Sequence, residues 1–187
     1  MIGGRTKLVG LIGNPVEHSL SPAMHNAAFA ARGLDWAYVP LPVEDDRVDD
    51  AVRGLVALGF AGANLTAPHK AAAARASETP LESVNVLVVR DGAVEGHSTD
   101  TAVLDGLAFE RAAILGAGGS AAAFRAALPE ARVFSRRGEW PPDVSDVDLV
   151  VNATSERGTS LCALSEGQTL IDLPYPETAT GRATRPR

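Results

Sequence analysis

Short apolar runs alternate with helix-forming stretches along the whole chain, and this alternation constrains the fold more than any other feature. Residues 7–13 (KLVGLIG), 36–43 (WAYVPLPV), 60–66 (FAGANLT) and 84–90 (VNVLVVR) read as strands, short and apolar, with turn-forming residues near their ends. Between them lie helical patterns. Ser21 suits an N-cap, Pro22 the first helical position of AMHNAAFAARGL, and Gly33 a stop. From Asp45 to Leu58 the apolar residues Val48, Ala51, Val52, Leu55 and Val56 keep a helical period, and Gly59 follows. His69 to Ala76 is alanine-rich and helical. Asp91-Gly92 signals a hairpin into AVEG, and a helix is expected from Asp100 to about Leu107.

The pattern then restarts. Residues 111–115 (RAAIL) read as a strand running into Gly116-Ala117-Gly118-Gly119 and the helix SAAAFRAAL. Residues 131–135 (ARVFS), 147–152 (VDLVVN) and 169–173 (TLIDL) are further strands. Gly138 to Ser145, with Pro141-Pro142, reads as a loop where many such folds carry a helix. Strands separated by helices imply parallel sheets covered on both faces.

Composition narrows the function classes. The chain has 187 residues and a formal net charge of −6, which argues against a general nucleic-acid binder. No apolar run approaches the ~20 residues of a membrane span, and the start MIGGRTKLVG lacks the apolar core of a signal peptide. The single cysteine, Cys162, excludes an internal disulfide and a cysteine-cluster metal site. A cytoplasmic setting, without membrane, nucleic-acid or metal partners, is the expectation. Of 17 basic residues only Lys7 and Lys70 are lysine. A lysine in so arginine-biased a chain marks a place where a compact ammonium with a tunable pKa is useful.

The glycine turn after residues 111–115 suits a dinucleotide. Gly116, Gly118 and Gly119 permit a tight turn and let a pyrophosphate approach backbone N–H groups where the helix opens at Ser120. The next strand ends in Ser135-Arg136-Arg137, where an NAD site usually offers a carboxylate to the ribose. Two guanidinium groups suit a 2′-phosphate instead, which favours NADP; the alternative is two solvated arginines. Asn152-Ala153-Thr154-Ser155 falls where a loop would approach the nicotinamide, or where a helix is capped.

Three polar motifs follow or flank strands in the first half: His18-Ser19-Leu20-Ser21-Pro22, Asn64-Leu65-Thr66-Ala67-Pro68-His69-Lys70, and Asn85 with Ser98-Thr99-Asp100. Loops beyond the carboxyl ends of parallel strands converge on one crevice, so these groups can line a pocket for a small polyhydroxylated, carboxylated substrate. Ser21 and Thr99 also suit simple helix caps. His25 and His69 lack metal-ligand spacing and read as structural or surface residues.

These motifs resemble those of the shikimate/quinate dehydrogenase family. GNPVEHSLSPAMHN resembles the family's G-x-P-x-x-H-S-x-S-P-x-x-H-N, NLTAPHK its N-V-T-x-P-x-K, SVNVL its A-V-N-T-L and HSTDT its N-T-D-G. GAGGSA and VNATS resemble its cofactor-loop motifs. The resemblance runs over about residues 7–176 and implies an α/β fold. An N-terminal, mostly parallel α/β substrate domain (residues 1–104) would precede a compressed Rossmann-like NADP-binding domain (residues 105–187). It implies NADPH-dependent, reversible reduction of 3-dehydroshikimate to shikimate. Lys70 and Asp100 would be the catalytic pair. Ser19, Ser21, Asn64, Thr66, Asn85 and Tyr175 would join them in holding the substrate. Gly116, Ala117, Gly118, Gly119, Ser120, Ser135, Arg136, Arg137 and Asn152 to Ser155 would hold NADP. Which of Lys70 and Asp100 moves the proton stays open, as do a quinate or NAD variant and a shikimate-binding member with impaired turnover.

The chain also departs from the family pattern. The helix between the Lys and Asn motifs is short, and N-T-D-G becomes Ser98-Thr99-Asp100-Thr101. The family continues past the motif resembled by LPYPETAT with a substrate-contacting glutamine and a closing helix. Here the one glutamine, Gln168, precedes a strand. The expectation is a C-terminally truncated member whose exposed apolar surface lowers stability or favours association, for instance as a homodimer.

Overall fold

The computed structural model describes residues 2–156 and 161–174. The chain divides into two compact units, with the division between Asp100 and Thr101.

In the first unit the elements run β1 (Lys7–Gly13), α1 (Ser21–Ala31), β2 (Trp36–Pro42), a 3-10 turn (Asp45–Arg47), α2 (Val48–Ala57), β3 (Gly62–Leu65), α3 (Lys70–Arg75), β4 (Val86–Arg90) and β5 (Ala93–His97). The sheet order is β2-β1-β3-β4-β5, so β2 is an edge strand, and it carries Pro40 and Pro42. Strand alternation sends neighbouring residues of β1 to opposite faces. Leu11 packs with Val16, Tyr38, Val9 and the Phe29 of α1. Ile12 faces the other way, into a core with Val48, Val52 and Leu55 of α2, Ala63 and Leu65 of β3, and Ala73 and Ala74 of α3.

The expectation of parallel pairing holds for β1 with β2 and β3. It fails for β3–β4, which is antiparallel, while β4–β5 is antiparallel as a hairpin requires. The stretch between β3 and β4 holds only the six residues of α3, too little for a full crossover helix, and the chain returns alongside β3 instead. The Asp91-Gly92 hairpin then forms as expected, with φ of 51° and 83°, the positive values of a type I′ turn.

Two helix expectations are corrected. Ser21 is not the N-cap: α1 begins with Ser21 itself, Leu20 holds the cap position, and the Ser21 N–H donates to the Ser19 hydroxyl at 3.2 Å. At the other end Gly33 N–H bonds the Ala30 carbonyl and Leu34 N–H the Phe29 carbonyl, which closes the helix where Gly33 was expected to stop it. The stretch from Asp100 is a 3-10 turn, Asp100–Leu104, and not a helix reaching Leu107.

The second unit holds β6 (Ala112–Leu115), α4 (Gly119–Ala127), β7 (Arg132–Phe134), β8 (Leu149–Asn152) and β9 (Thr169–Asp172), in the all-parallel order β7-β6-β8-β9. One face packs Ile114, Leu149, Val151 and Ile171 against Ala121 and Phe124 of α4. The other packs Ala113, Leu115, Phe134 and Val150 against Val144, Val147 and Trp140. The segment expected as a loop, Gly138 to Ser145, therefore does the covering that a helix does elsewhere. Gln168 secures it: its Nε2 donates to the carbonyls of Val144 (2.6 Å) and Val147 (2.7 Å), and its Oε1 accepts from Ser165 N–H. The fold class is α/β. Among the described residues no helix is long and apolar enough to cross a membrane.

Candidate active site

Sheet direction gathers the polar motifs of the first unit. β1 and β3 are parallel and finish at the same end of the sheet. Because β4 runs against β3, its start lies at that end, and because β5 runs against β4, its finish lies there too. Ser19 and Ser21 follow β1, Thr66 and Lys70 follow β3, Asn85 immediately precedes β4, and Thr99 and Asp100 follow β5. The antiparallel return of β4 beside β3, which the sequence did not announce, carries Asn85 to this end, and the Asp91-Gly92 hairpin then brings Asp100 to it.

Lys70 opens α3 and its Nζ lies 2.6 Å from Asp100 Oδ2, with the two side chains 13% and 14% exposed. A pair so largely removed from water is stable only if its remaining polar atoms are also bonded. Asp100 Oδ1 accepts from Asn85 Nδ2 at 2.8 Å. Asn85 Oδ1 accepts the Thr99 N–H at 2.8 Å, and Nδ2 also reaches Thr99 Oγ1 at 3.0 Å. Lys70 is tied into the same turn through its backbone, its carbonyl accepting the Val84 N–H at 3.1 Å. One ammonium, one carboxylate and one amide are thus held in fixed relation and remain partly open to solvent.

Asn64 joins this group from β3. Its Nδ2 donates to the Asn85 carbonyl at 3.2 Å and its Oδ1 accepts the Tyr38 hydroxyl at 2.9 Å. Thr66 is anchored by its backbone, its N–H bonding the Ile12 carbonyl and its carbonyl accepting the His69 N–H. Ser19 and Ser21 bond to each other. His69 is 2% exposed and its Nε2 donates to the Val43 carbonyl at 2.7 Å, which makes it a core residue. His25 bonds the Ser21 carbonyl through Nδ1 and stacks on Tyr38 at 4.3 Å. Among the described residues no cluster of three or more His, Cys, Asp or Glu is placed to hold a metal. Sequence reasoning missed Tyr38. The signal was its position in the apolar run 36–43, but only strand register shows which residue of that run reaches Asn64.

The second unit brings the glycine turn and the loop after β8 together. Gly116 has φ of 122°, and a Cβ there would stand 2.8 Å from the Ala153 carbonyl oxygen, so close approach requires glycine. Ala153 N–H in turn bonds the Leu115 carbonyl at 2.8 Å. Ala117 and Gly118 are exposed, Gly118 holds the N-cap position of α4 in extended conformation with open space around it, and Ser120 lies in the first turn. A backbone cradle at a helix N-terminus results, which fits a pyrophosphate. At the end of β7, Ser135 is half-buried and Arg136 and Arg137 are exposed, with Arg136 Nη2 2.8 Å from Glu156 Oε1. Asn152 is 6% exposed and serves the fold: Nδ2 donates to Asp172 Oδ1, and Oδ1 accepts from Thr154 N–H and Oγ1. It caps no helix among the described residues. Ser155 is exposed, and Tyr175 lies outside the described residues.

The comparisons with known proteins decide the family. Residues 11–87 match the model of the shikimate dehydrogenase substrate binding domain. A shikimate dehydrogenase (NADP(+)) of Gluconobacter oxydans is 41% identical over 191 residues, covering 83% of this chain and 68% of that protein. The chain belongs to the shikimate dehydrogenase family. A second shikimate dehydrogenase (NADP(+)), from Geobacter sp., is 36% identical, covering 96% of this chain and 80% of that one. A crystal structure of a shikimate dehydrogenase in complex with NADP+ superposes with a TM-score of 0.80 at 28% identity, covering 94% of this chain and 79% of that one. Matches to other curated shikimate dehydrogenases span about half of their length, 50% for one from Methanothermobacter thermautotrophicus.

Proposed function

We propose that this chain catalyses the reversible NADPH-dependent reduction of 3-dehydroshikimate to shikimate. The observation that carries the reading is the Lys70–Asp100 pair at 2.6 Å, braced by Asn85 at the sheet end where the family's substrate motifs gather.

A ketone oxygen that gains negative charge is stabilised by a nearby ammonium, and it must also receive a proton. The Lys70 ammonium serves both needs. Asp100 orients Lys70 through Oδ2 and stands ready to accept from a substrate hydroxyl. Ser19, Ser21, Thr66 and Asn85, with Asn64 shaping the loop, supply hydroxyls and amides for the substrate's carboxylate and ring hydroxyls; the family resemblance adds Tyr175, which lies outside the described residues. When bound, NADPH supplies the hydride that reduces the carbonyl carbon. The Gly116–Ser120 turn would hold its pyrophosphate, Ser135, Arg136 and Arg137 its 2′-phosphate, and Ala153, Thr154 and Ser155 would border it from the loop after β8.

Shikimate oxidation followed by the absorbance of the reduced nicotinamide, first with NADP and then with NAD, tests the proposal. Turnover with a preference for NADP is expected. Binding of shikimate without turnover would replace the enzyme by a binding protein, and failure to bind shikimate would remove the substrate assignment.

A further inference from the structure

Tyr38 stands apart from the motifs that mark the site. It lies in edge strand β2, 3% exposed, in the apolar cluster with Leu11 and Val16, and its ring stacks on His25 at 4.3 Å. Its hydroxyl nevertheless reaches across β1 to Asn64 of β3 at 2.9 Å. From there bonds run on without a break. Asn64 Nδ2 donates to the Asn85 carbonyl (3.2 Å), Asn85 Nδ2 donates to Asp100 Oδ1 (2.8 Å), and Asp100 Oδ2 holds Lys70 Nζ (2.6 Å).

We infer that the Tyr38 hydroxyl is a positioning element for the Lys70–Asp100 pair, acting by fixing which way the Asn64 amide faces; this rests on the function proposed above. An amide has an accepting and a donating end of nearly equal size. The Tyr38 hydroxyl donates, so it selects the oxygen end and turns the NH2 toward the Asn85 carbonyl. That carbonyl already accepts the Leu65 N–H at 2.9 Å. Without the hydroxyl the Asn64 oxygen loses its donor, and the amide is held at its NH2 end alone. Its swing about the side-chain torsion widens, the 3.2 Å bond to the Asn85 carbonyl loosens, and the Asn85 amide that braces Asp100 loosens with it.

The test compares Tyr38→Phe, which keeps the ring and its stacking, in two backgrounds: wild type and Asn64→Leu. In the wild-type background kcat for shikimate oxidation falls about fivefold, the worth of one net hydrogen bond, while KM changes less. In the Asn64→Leu background Tyr38→Phe has no further effect on kcat, because the link is already cut. Equal losses in both backgrounds, or no loss in the first, would overturn the inference in favour of a residue that only fills the core. A second readout needs no turnover. Lys70 and Lys7 are the two lysines of the chain, so acylation by an amine-directed reagent is resolved peptide by peptide. Lys70 is expected to react about threefold or more faster in Tyr38→Phe, with Lys7 unchanged as the internal control. An unchanged Lys70 rate overturns the inference even if the wild-type protein shows no dehydrogenase activity, an outcome that would sink only the functional reading. Should Tyr38→Phe fail to fold, Asn64→Leu carries the same acylation readout.

Discussion

Lys70 is one of two lysines among 17 basic residues, and it holds Asp100 at 2.6 Å. Its scarcity made it legible in the sequence, and so did its place in NLTAPHK. Lys70→Ala is expected to lower turnover at least ~100-fold, the low end for a group of this kind, in a steady-state assay of a cooperatively folded sample. Lys70→Arg should not restore it, since a guanidinium keeps the charge but does not readily give up a proton. Arg136 was also legible, but its environment was not: Glu156 lies twenty residues on, across a strand, and occupies the guanidinium at 2.8 Å. Exposed pairs of this kind are weak. Glu156→Gln should therefore free Arg136 and tighten NADPH binding about twofold or more in a fluorescence titration, with NADH binding changed less. Tyr38 was illegible for a different reason. A hydroxyl in an apolar strand has meaning only when register sets it opposite Val9 and within reach of Asn64.

At the scale of elements, local chemistry was read well, and pairing direction went astray at one place, between β3 and β4. Asp91-Gly92 announces its hairpin because the turn type demands positive φ at both residues. Nothing local says that β4 will lie antiparallel to β3, since that follows from how little helix fits between them. Ser21 looked like a cap because it precedes a proline, yet the helix takes it in as its first residue. The Gly138 to Ser145 loop was legible from Pro141-Pro142, but not what holds it. Gln168 does so from a position that the family resemblance could only exclude as a substrate contact. Gln168→Leu leaves the carbonyls of Val144 and Val147 without their side-chain donor and should destabilise the second unit by at least about 2 kcal/mol. Urea unfolding followed by Trp140 fluorescence, in a Trp36→Phe background, reads that unit alone.

The whole molecule is two units, each with a sheet covered on both faces, and this much followed from the alternation of strands and helices. Its surface carboxylates give it a defined acid limit. The N–H groups of Arg111 and Glu110 hold the Asp148 carboxyl below its ordinary value, the Ser145 hydroxyl and N–H do the same for Asp143, and Arg53 with Arg47 for Asp50. In each case the folded state favours the charged form. The contribution is complete above the unfolded pKa, and it fades as pH falls through the folded one. Stability should therefore drop below about pH 4, and Asp148→Asn should flatten that drop when melting of the second unit is followed against pH. A variant whose melting falls as steeply as the wild type would exclude Asp148 as a contributor.

β2 is an edge strand with Pro40 and Pro42 in its seven residues, and Asn26 of α1 takes up the backbone N–H and carbonyl of Tyr38. A proline has no N–H to offer, and one in an edge strand turns that missing donor outward. A strand from another molecule would meet two gaps where it needs donors, so the sheet is closed to growth on that side. The same prolines leave β2 free to pair inward with β1 while discouraging strand addition at this one edge.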